Sequence, residues 1–374
     1  MFKDKLVVIV IDSLVGGGAE RVMLTLARSM TNDFDAKVYL IIFDQVIEFR
    51  IDFDMNIEVI KSSRLEKIPR LFSKLKYYLY AKKLEKRFQI IEKQENKKIN
   101  LILSNLLQSD RALTFSQRNN IYFIIHNQQS IKLKLNQKPR FEAKRRIKII
   151  NERYNNKNVI CVSKGVEDDL LNHFKLKPKF IQTIYNPFEI DKIQNLMNEK
   201  VIDLPSKPYL VAVSSFKKQK NIPRLLEAFY RTNINTHQLV IIGKGNDAEI
   251  KPIKKLIQTL GIQDSVLLLG FRENPYPYIK TADLLILSSD FEGFGNVIVE
   301  SLMCKTMVVS TNCPSGPAEI LNGQLSQYLA ELSSESLAGK ILFALENKIE
   351  IKESDYLRFS TKQITKQYLN LTEG

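Results

Sequence analysis

The chain has 374 residues, 44% of them hydrophobic, three cysteines and a formal net charge of +15. That length exceeds the size at which a single core stops growing, so two domains are expected. Cys161, Cys304 and Cys313 are too few and too scattered for a disulfide framework or a zinc site, which points to packing roles in a reducing cytoplasm.

The first apolar run, LVVIVI from Leu6, is six residues broken by Asp12, which suits a core strand and not the apolar region of a signal peptide; no transmembrane segment is visible. Gly16, Gly17 and Gly18 follow it and precede a helix over Ala19–Arg28. Their amides are placed to cradle a phosphate or a sugar, although a plain tight turn would read the same. Strand-like runs continue with AKVYLIIF at Ala36, LILSN at Leu101, YFIIH at Tyr122 and NVICVS at Asn158. His126 closes the YFIIH run, at the edge where parallel sheets bind ligands; His173 and His237 have no such context. A domain boundary is expected near Pro187, where a strand ends in Asn-Pro and a polar segment around Pro205 and Pro208 follows. Beyond it come YLVAVSS at Tyr209, QLVIIG at Gln238, SVLLLG at Ser265, ADLLIL at Ala282 and MVVST at Met307, each with helical patterns between. Alternation of this kind predicts βα repeats and parallel sheets, an α/β fold.

The most informative stretch is Ser288–Glu300, SSDFEGFGNVIVE. It follows a run apolar enough for a strand buried on both faces and leads into a helix over Asn296–Met303. Between them Gly293 and Gly295 permit close approach of a ligand, and the N–H groups of the helix start, from Phe294 to Asn296, are expected to point at any anion there. Glu300, one turn into that helix, is placed to accept from paired ribose hydroxyls, and Glu292 to reach sugar hydroxyls. A nucleoside diphosphate sugar fits that combination.

Charge divides the chain. Before Pro187 there are 35 Lys and Arg against 20 Asp and Glu; the totals of 56 and 41 leave 21 against 21 after it. Much of the excess lies in Lys61–Lys98, among Leu71, Phe72, Leu75, Tyr77, Tyr78, Leu79 and Tyr80, and in Lys132–Lys148. Basic helices interleaved with apolar and Tyr side chains suit an anionic membrane surface, each Lys or Arg contributing about 1 kcal/mol. A solvated basic helix reads the same way, and nucleic acid is disfavoured because no recognition-helix, zinc-finger or RNA-binding signature accompanies the charge.

Four segments, AVSSFKKQKNIPRLLEAF (Ala212–Phe229), VIIGKGNDAEI (Val240–Ile250), GFRENPYPYIKTADLLILSSDFEGFGNVIVESL (Gly270–Leu302) and TNCPSGPAEIL (Thr311–Leu321), closely resemble the C-terminal half of bacterial family 4 retaining glycosyltransferases. GGGAERVMLTLA (Gly16–Ala27), VSKGVEDDL (Val162–Leu170) and IYNP (Ile184–Pro187) resemble that family's first glycine loop and interdomain stretch; only about Asp44–Lys98 matches no pattern. The resemblance implies a GT-B fold, two Rossmann-like domains facing each other across a cleft: 1–187 for the acceptor, 188–354 for the nucleotide sugar, and a final helix, about Asp355–Leu371 within 355–374, crossing back to the first. It further implies that Lys220 meets the donor diphosphate, that Glu292 and His126 orient the sugar, and that Gly16, Gly17, Gly18, Gly243, Phe271, Arg272, Phe294, Gly295, Asn296 and Glu300 line the donor site. The family's arginine a few residues before Lys220 appears here as Ser215, leaving Lys217 or Lys218 to replace it. Lys305 and Met307 stand where the family usually has Gly and Pro.

The implied activity is retaining transfer of a hexose or N-acetylhexosamine from a UDP-sugar to a lipid-linked or lipopolysaccharide-type glycan in surface polysaccharide synthesis, at the inner face of the plasma membrane. No metal is expected, because no Asp-x-Asp or His/Asp cluster stands beside a strand end. A UDP-sugar epimerase of the same fold is the enzymatic alternative, and a nucleic-acid-binding or modifying protein the non-enzymatic one.

Overall fold

In a computed structural model of the chain, residues 3–44, 46–48 and 55–373 are described; Met1, Phe2 and Gly374 of the expected domain ranges lie outside them. The chain forms two compact units, Met1–Phe188 with Thr361–Gly374, and Glu189–Ser360.

The first unit is built on seven parallel strands: β1 (Leu6–Ile11), β2 (Lys37–Ile42), β3 (Asn56–Val59), β4 (Leu101–Asn105), β5 (Ile121–Ile125), β6 (Asn158–Cys161) and β7 (Phe180–Thr183). Their order is β3-β2-β1-β4-β5-β6-β7, so the direction of winding reverses between β1 and β4. Central β1 is buried at every position, as its unbroken apolar run requires, and Ile9 lies between Leu40 of β2 and Leu103 of β4. The edge strands β3 and β7 are half exposed. The basic segments are helical at Ser73–Gln94 and Arg140–Tyr154.

The second unit has six parallel strands: β8 (Tyr209–Val213), β9 (Gln238–Ile242), β10 (Val266–Gly270), β11 (Leu284–Leu287), β12 (Val308–Thr311) and β13 (Leu329–Ala330), ordered β10-β9-β8-β11-β12-β13. This is the Rossmann order, with its switch point between β8 and β11, and such sheets bind ligands beyond their carboxyl ends at that point.

One departure from the sequence reading, and one consequence of a departure from the family pattern, concern the C-terminal part. The last helix spans Thr361–Asn370 and not Asp355–Leu371, because the Asp355 carboxylate accepts from Lys352 N at 2.8 Å in a 3-10 turn, and Tyr356 and Phe359 are buried in the second unit. Lys305 takes a left-handed φ of +63°, the conformation for which glycine is ordinarily chosen. Its ammonium donates to Ile351 O at 3.1 Å and lies 4.9 Å from the Tyr356 ring centre, contacts a glycine would lack.

Candidate functional site

Two groups of predicted residues gather at strand ends, one on each unit. On the second unit the loop after β8 carries Lys217, Lys218 and Lys220, and the loop after β11 carries Glu292, Phe294 and Gly295. These strands flank the switch point, so the sheet order brings together residues 72 positions apart.

Lys220 Nζ lies 2.6 Å from Glu292 Oε1, and the Ser289 hydroxyl donates to the same oxygen at 2.6 Å. Glu292 is buried, and among the described residues its carboxylate accepts from these two groups. The loop holding Lys220 is fixed from below. Asn221 adopts a left-handed φ of +44°, accepts from Arg224 N to cap the Ile222–Thr232 helix, and donates to Asp290 Oδ1 at 2.9 Å. Arg224 reaches the same Asp290 oxygen at 2.8 Å and Ser288 O at 2.9 Å, while Ser288 donates to Lys220 O at 2.8 Å. Arg224 and Asp290 thus clamp the two loops together and hold the Lys220–Glu292 pair above them.

The Gly-Phe-Gly turn is built as its glycines demand. Gly295 has φ +95° and starts the Asn296–Met303 helix, whose Val297, Ile298 and Val299 are buried, leaving Asn296 and Glu300 half-exposed four residues apart on the other face. Phe294 is buried with its ring edge-on to Phe359 at 5.4 Å, so its side chain packs and only its backbone can face a ligand. Gly316 presses against this turn: a Cβ there would stand 1.9 Å from Phe294 O, at φ +92°. The Ser-Gly-Pro signal was in the sequence, but the contact that needs it was not.

Gly243 ends β9 so close to the β8 loop that a Cβ would lie 1.7 Å from Ser214 O. Lys217 and Lys218 are exposed. Phe271 is 62% exposed beside Gly270 (φ +70°), free to offer a flat face to a ring. Arg272 is differently employed: it pairs with Asp203 and donates to Tyr278 Oη at 3.1 Å and to the carbonyl of Leu269, a set of contacts internal to the unit. That guanidinium fastens the 203 loop to the sheet.

On the first unit, His126 lies beyond β5 with Nε2 3.0 Å from Oδ1 of Asn105, the last residue of β4. Burial, followed by the charge of Lys132, pushes the imidazole down to about 4. Asn105 is fully buried and was not singled out from sequence; an Asn ending an apolar run gives no sign of its histidine partner. Leu106, next to it, has φ +71°, a left-handed angle that costs a non-glycine residue about 1–3 kcal/mol. The following helix, Leu107–Leu113, is held by Asp12 at the end of β1, whose carboxylate accepts from Gln108 N, Ser109 N and Ser109 Oγ at 3.0, 2.8 and 2.9 Å.

The glycine loop meets its own carboxylate. Gly16 has φ +62°, Gly17 caps the Gly18–Asn32 helix, and buried Glu20 brings an oxygen 2.0 Å from where a Gly17 Cβ would stand. Glu20, in the first turn of that helix, thus fills the space beside Gly17 that any other residue's side chain would need.

The cysteines are all buried, and burial pushes the Cys304 and Cys313 thiols up to about 12, which makes them inert packing groups. Among the described residues no helix is long and apolar enough to cross a membrane.

Residues 16–192 match the model for Glycosyltransferase Family 4 and residues 195–363 that for glycosyl transferases group 1. The chain is 30% identical over 331 residues, 88% of its own length and 86% of the relative's, to the N-acetylgalactosamine-N,N'-diacetylbacillosaminyl-diphospho-undecaprenol 4-alpha-N-acetylgalactosaminyltransferase of Campylobacter jejuni. Among solved structures, a glycosyltransferase from Rickettsia africae superposes with a TM-score of 0.75 at 19% identity, covering 99% of this chain and 98% of that one. Anabaena HepE, in complex with UDP and glucose, gives 0.73 at 18% identity, with 99% and 100% covered. Two parallel Rossmann-like sheets, both halves matched and a 30% identical relative spanned over most of its length lead to one conclusion: the chain is a GT-B glycosyltransferase and belongs to family 4.

Proposed function

We propose that the enzyme transfers a hexose or N-acetylhexosamine, with retention of configuration, from a UDP-sugar to a glycan carried on a membrane lipid. The observation that carries this reading is the Lys220–Glu292 pair at the β8/β11 switch point, beside the amides of the Asn296–Met303 helix start. A diphosphate needs cationic and N–H donors and a sugar needs acceptors; this edge supplies both. Lys220 would move from Glu292 toward the diphosphate as it binds, freeing the carboxylate for sugar hydroxyls. Glu300, half-exposed on the outer face of the same helix, suits the ribose, and exposed Phe271 the base. UDP and glucose in the Anabaena protein of the same fold support that donor class.

In the reaction the bond from the anomeric carbon to the diphosphate oxygen breaks, and a bond to the acceptor oxygen forms on the same face. The acceptor's proton passes to the departing phosphate oxygen, so no protein base is needed. Lys220 and the helix amides stabilise the growing negative charge, a preorganised arrangement worth several kcal/mol. The exposed cations Lys217 and Lys218 add to it without a metal ion.

The acceptor class draws on the Campylobacter relative, whose named substrate is linked to diphospho-undecaprenol. The basic first unit adds support: Leu71, Phe72, Leu75, Tyr78 and Leu79 are exposed along one helical segment, Leu71 by 87%, with Lys74 and Lys82 beside them. An apolar stripe flanked by cations suits an anionic lipid surface at the cytoplasmic face. Incubation with a panel of nucleotide sugars tests the reading: UDP should be released slowly from one of them, faster with an undecaprenyl-diphosphate-linked glycan, and the new linkage should keep the donor's anomeric configuration. A product formed from the donor alone without UDP release would identify an epimerase.

A further inference from the structure

We infer that Asn105 is a positioning residue for His126: its side-chain oxygen accepts a hydrogen bond from Nε2–H, fixing the neutral imidazole in the tautomer whose Nδ1 is an acceptor for a substrate hydroxyl. The inference rests on the transferase reading above and deepens it by giving this histidine a defined polarity.

The argument begins from geometry. Asn105 ends β4, next to the switch point of the first unit, and pairs with Ile124 of β5, so the chain leaving β5 brings His126 past it two residues later. The separation of Nε2 and Oδ1 is 3.0 Å. A carboxamide oxygen only accepts, so the ring nitrogen facing it must carry the proton; in a neutral ring the other nitrogen then carries a lone pair. Asn105 is completely buried and cannot turn toward water. Its conformation is held by the strained Leu106 joint, which Asp12 anchors through the first turn of the next helix.

Two further observations agree. Lys132, on the short helix Gln129–Lys132, is the charge that bears on the ring, and a cation opposes protonation of Nδ1. Among the described residues, the buried Asn105 Nδ2 group has no hydrogen-bond partner. A buried amide N–H left unpaired costs about 1–3 kcal/mol, and it is tolerated where an oxygen of a bound molecule completes it. Asn105 thus offers a donor beside the acceptor that it creates on His126, a pair matched to adjacent sugar hydroxyls.

The test is spectroscopic first. The chain has three histidines, so long-range proton–nitrogen spectra of protein labelled with nitrogen-15 in histidine give three ring systems, and a His126→Gln variant assigns the relevant one. In the wild type, His126 should show the neutral Nε2–H pattern unchanged from pH 8 down to at least pH 5.5. Asn105→Asp keeps the accepting oxygen, removes the Nδ2 donor and places a carboxylate beside the ring. Its His126 midpoint should rise above that of the wild type by about one unit or more, and sugar transfer should fall as pH drops through the new midpoint while UDP binding by the second unit stays unchanged. Asn105→Ala, if folded, should lose the single tautomer. An Nδ1–H pattern in the wild type, a wild-type ring titrating near the free value of about 6.5, or an Asn105→Asp variant with wild-type midpoint and pH profile would each overturn the inference. These outcomes are read on the ring itself and stand apart from failure to release UDP, which would overturn the transferase assignment instead.

Discussion

Lys220 Nζ and Glu292 Oε1, 2.6 Å apart, neutralise each other across the switch point of the second sheet. Glu292 has a side chain 7% exposed and Lys220 one 21% exposed, so neither charge is well solvated alone. Lys220→Ala should therefore lose stability as well as activity, by about 1–3 kcal/mol, because it strands a buried carboxylate on Ser289. The double variant Lys220→Ala/Glu292→Ala should regain much of that stability and none of the turnover. Chemical denaturation of the four proteins of this cycle, followed beside UDP release, checks it; additive stability losses would show that the pair does not interact.

Glu300 and Glu292 should separate in kinetics. A ribose contact is made equally in ground and transition states, so Glu300→Ala should raise the apparent donor constant by a factor equivalent to about 1–3 kcal/mol with little change in kcat. Glu292→Ala should mainly lower kcat. Isothermal titration with UDP tests the first half directly: an unchanged affinity in Glu300→Ala would remove Glu300 from the nucleotide site.

Asp110 should make the first unit pH-sensitive. It is fully buried between Ser104 Oγ and Tyr154 Oη, each at 2.6 Å, and burial raises its carboxyl from 3.8 to about 7 despite both hydrogen bonds. Since the folded value exceeds the unfolded one, the folded state binds the extra proton, and this group's contribution is greatest below about pH 4 and is lost as pH rises through 7. Asp110→Asn abolishes that titration. The stability difference between variant and wild type should shift in favour of the variant by on the order of 2 kcal/mol from pH 5 to pH 8. Thermal unfolding at both pH values measures it, and a pH-independent difference would refute the assignment.

Membrane attachment of the first unit should depend on some lysines and not others. Lys76 is committed to Glu66 at 2.6 Å and Lys83 to Ile60 O at 2.6 Å, so both serve the fold. Lys74 is 86% exposed in a loose 3.7 Å surface pair with Glu152, and Lys82 lies 5.5 Å from the Tyr78 ring on the same face as the apolar stripe. Replacing Lys74 and Lys82 by Glu, with Leu71→Ser, should abolish sedimentation with phosphatidylglycerol vesicles while leaving UDP binding intact. Binding of the wild type should weaken steeply as salt shortens the Debye length from about 30 to 8 Å. Equal sedimentation with zwitterionic vesicles would rule out the electrostatic part.

Much of this was legible in the sequence because parallel sheets advertise themselves. A strand covered on both faces must be apolar throughout, and the ten such runs read from the sequence all appear as strands. Asn56–Val59, Phe180–Thr183 and Leu329–Ala330 form the edge strands β3, β7 and β13, and they were not picked out: they are short, and the first two are half exposed, so no apolar run marks them. At the candidate site, the glycines and carboxylates of the strand-end turns stood out in the sequence because their chemistry is local. Arg224, Asp290 and Asn105 did not, because each works through a partner supplied by another strand. Arg272 was legible as a motif residue, but its pairing with Asp203, 69 positions away, was not.

The segment Thr361–Gly374 belongs to the first unit although the whole second unit precedes it in the chain. Its Ile364, Tyr368 and Leu369 are buried, its helix packs on Gly18–Asn32, and Thr361 N donates to Phe188 O at 3.0 Å. During synthesis the unit translated first must therefore wait for its last piece. At ~5–20 residues per second, residues 189–360 take on the order of ten seconds to emerge, and for that time the seat of the final helix stands open to water. A ribosome halted anywhere in the second unit would release a first unit lacking the Thr361–Asn370 helix that covers it.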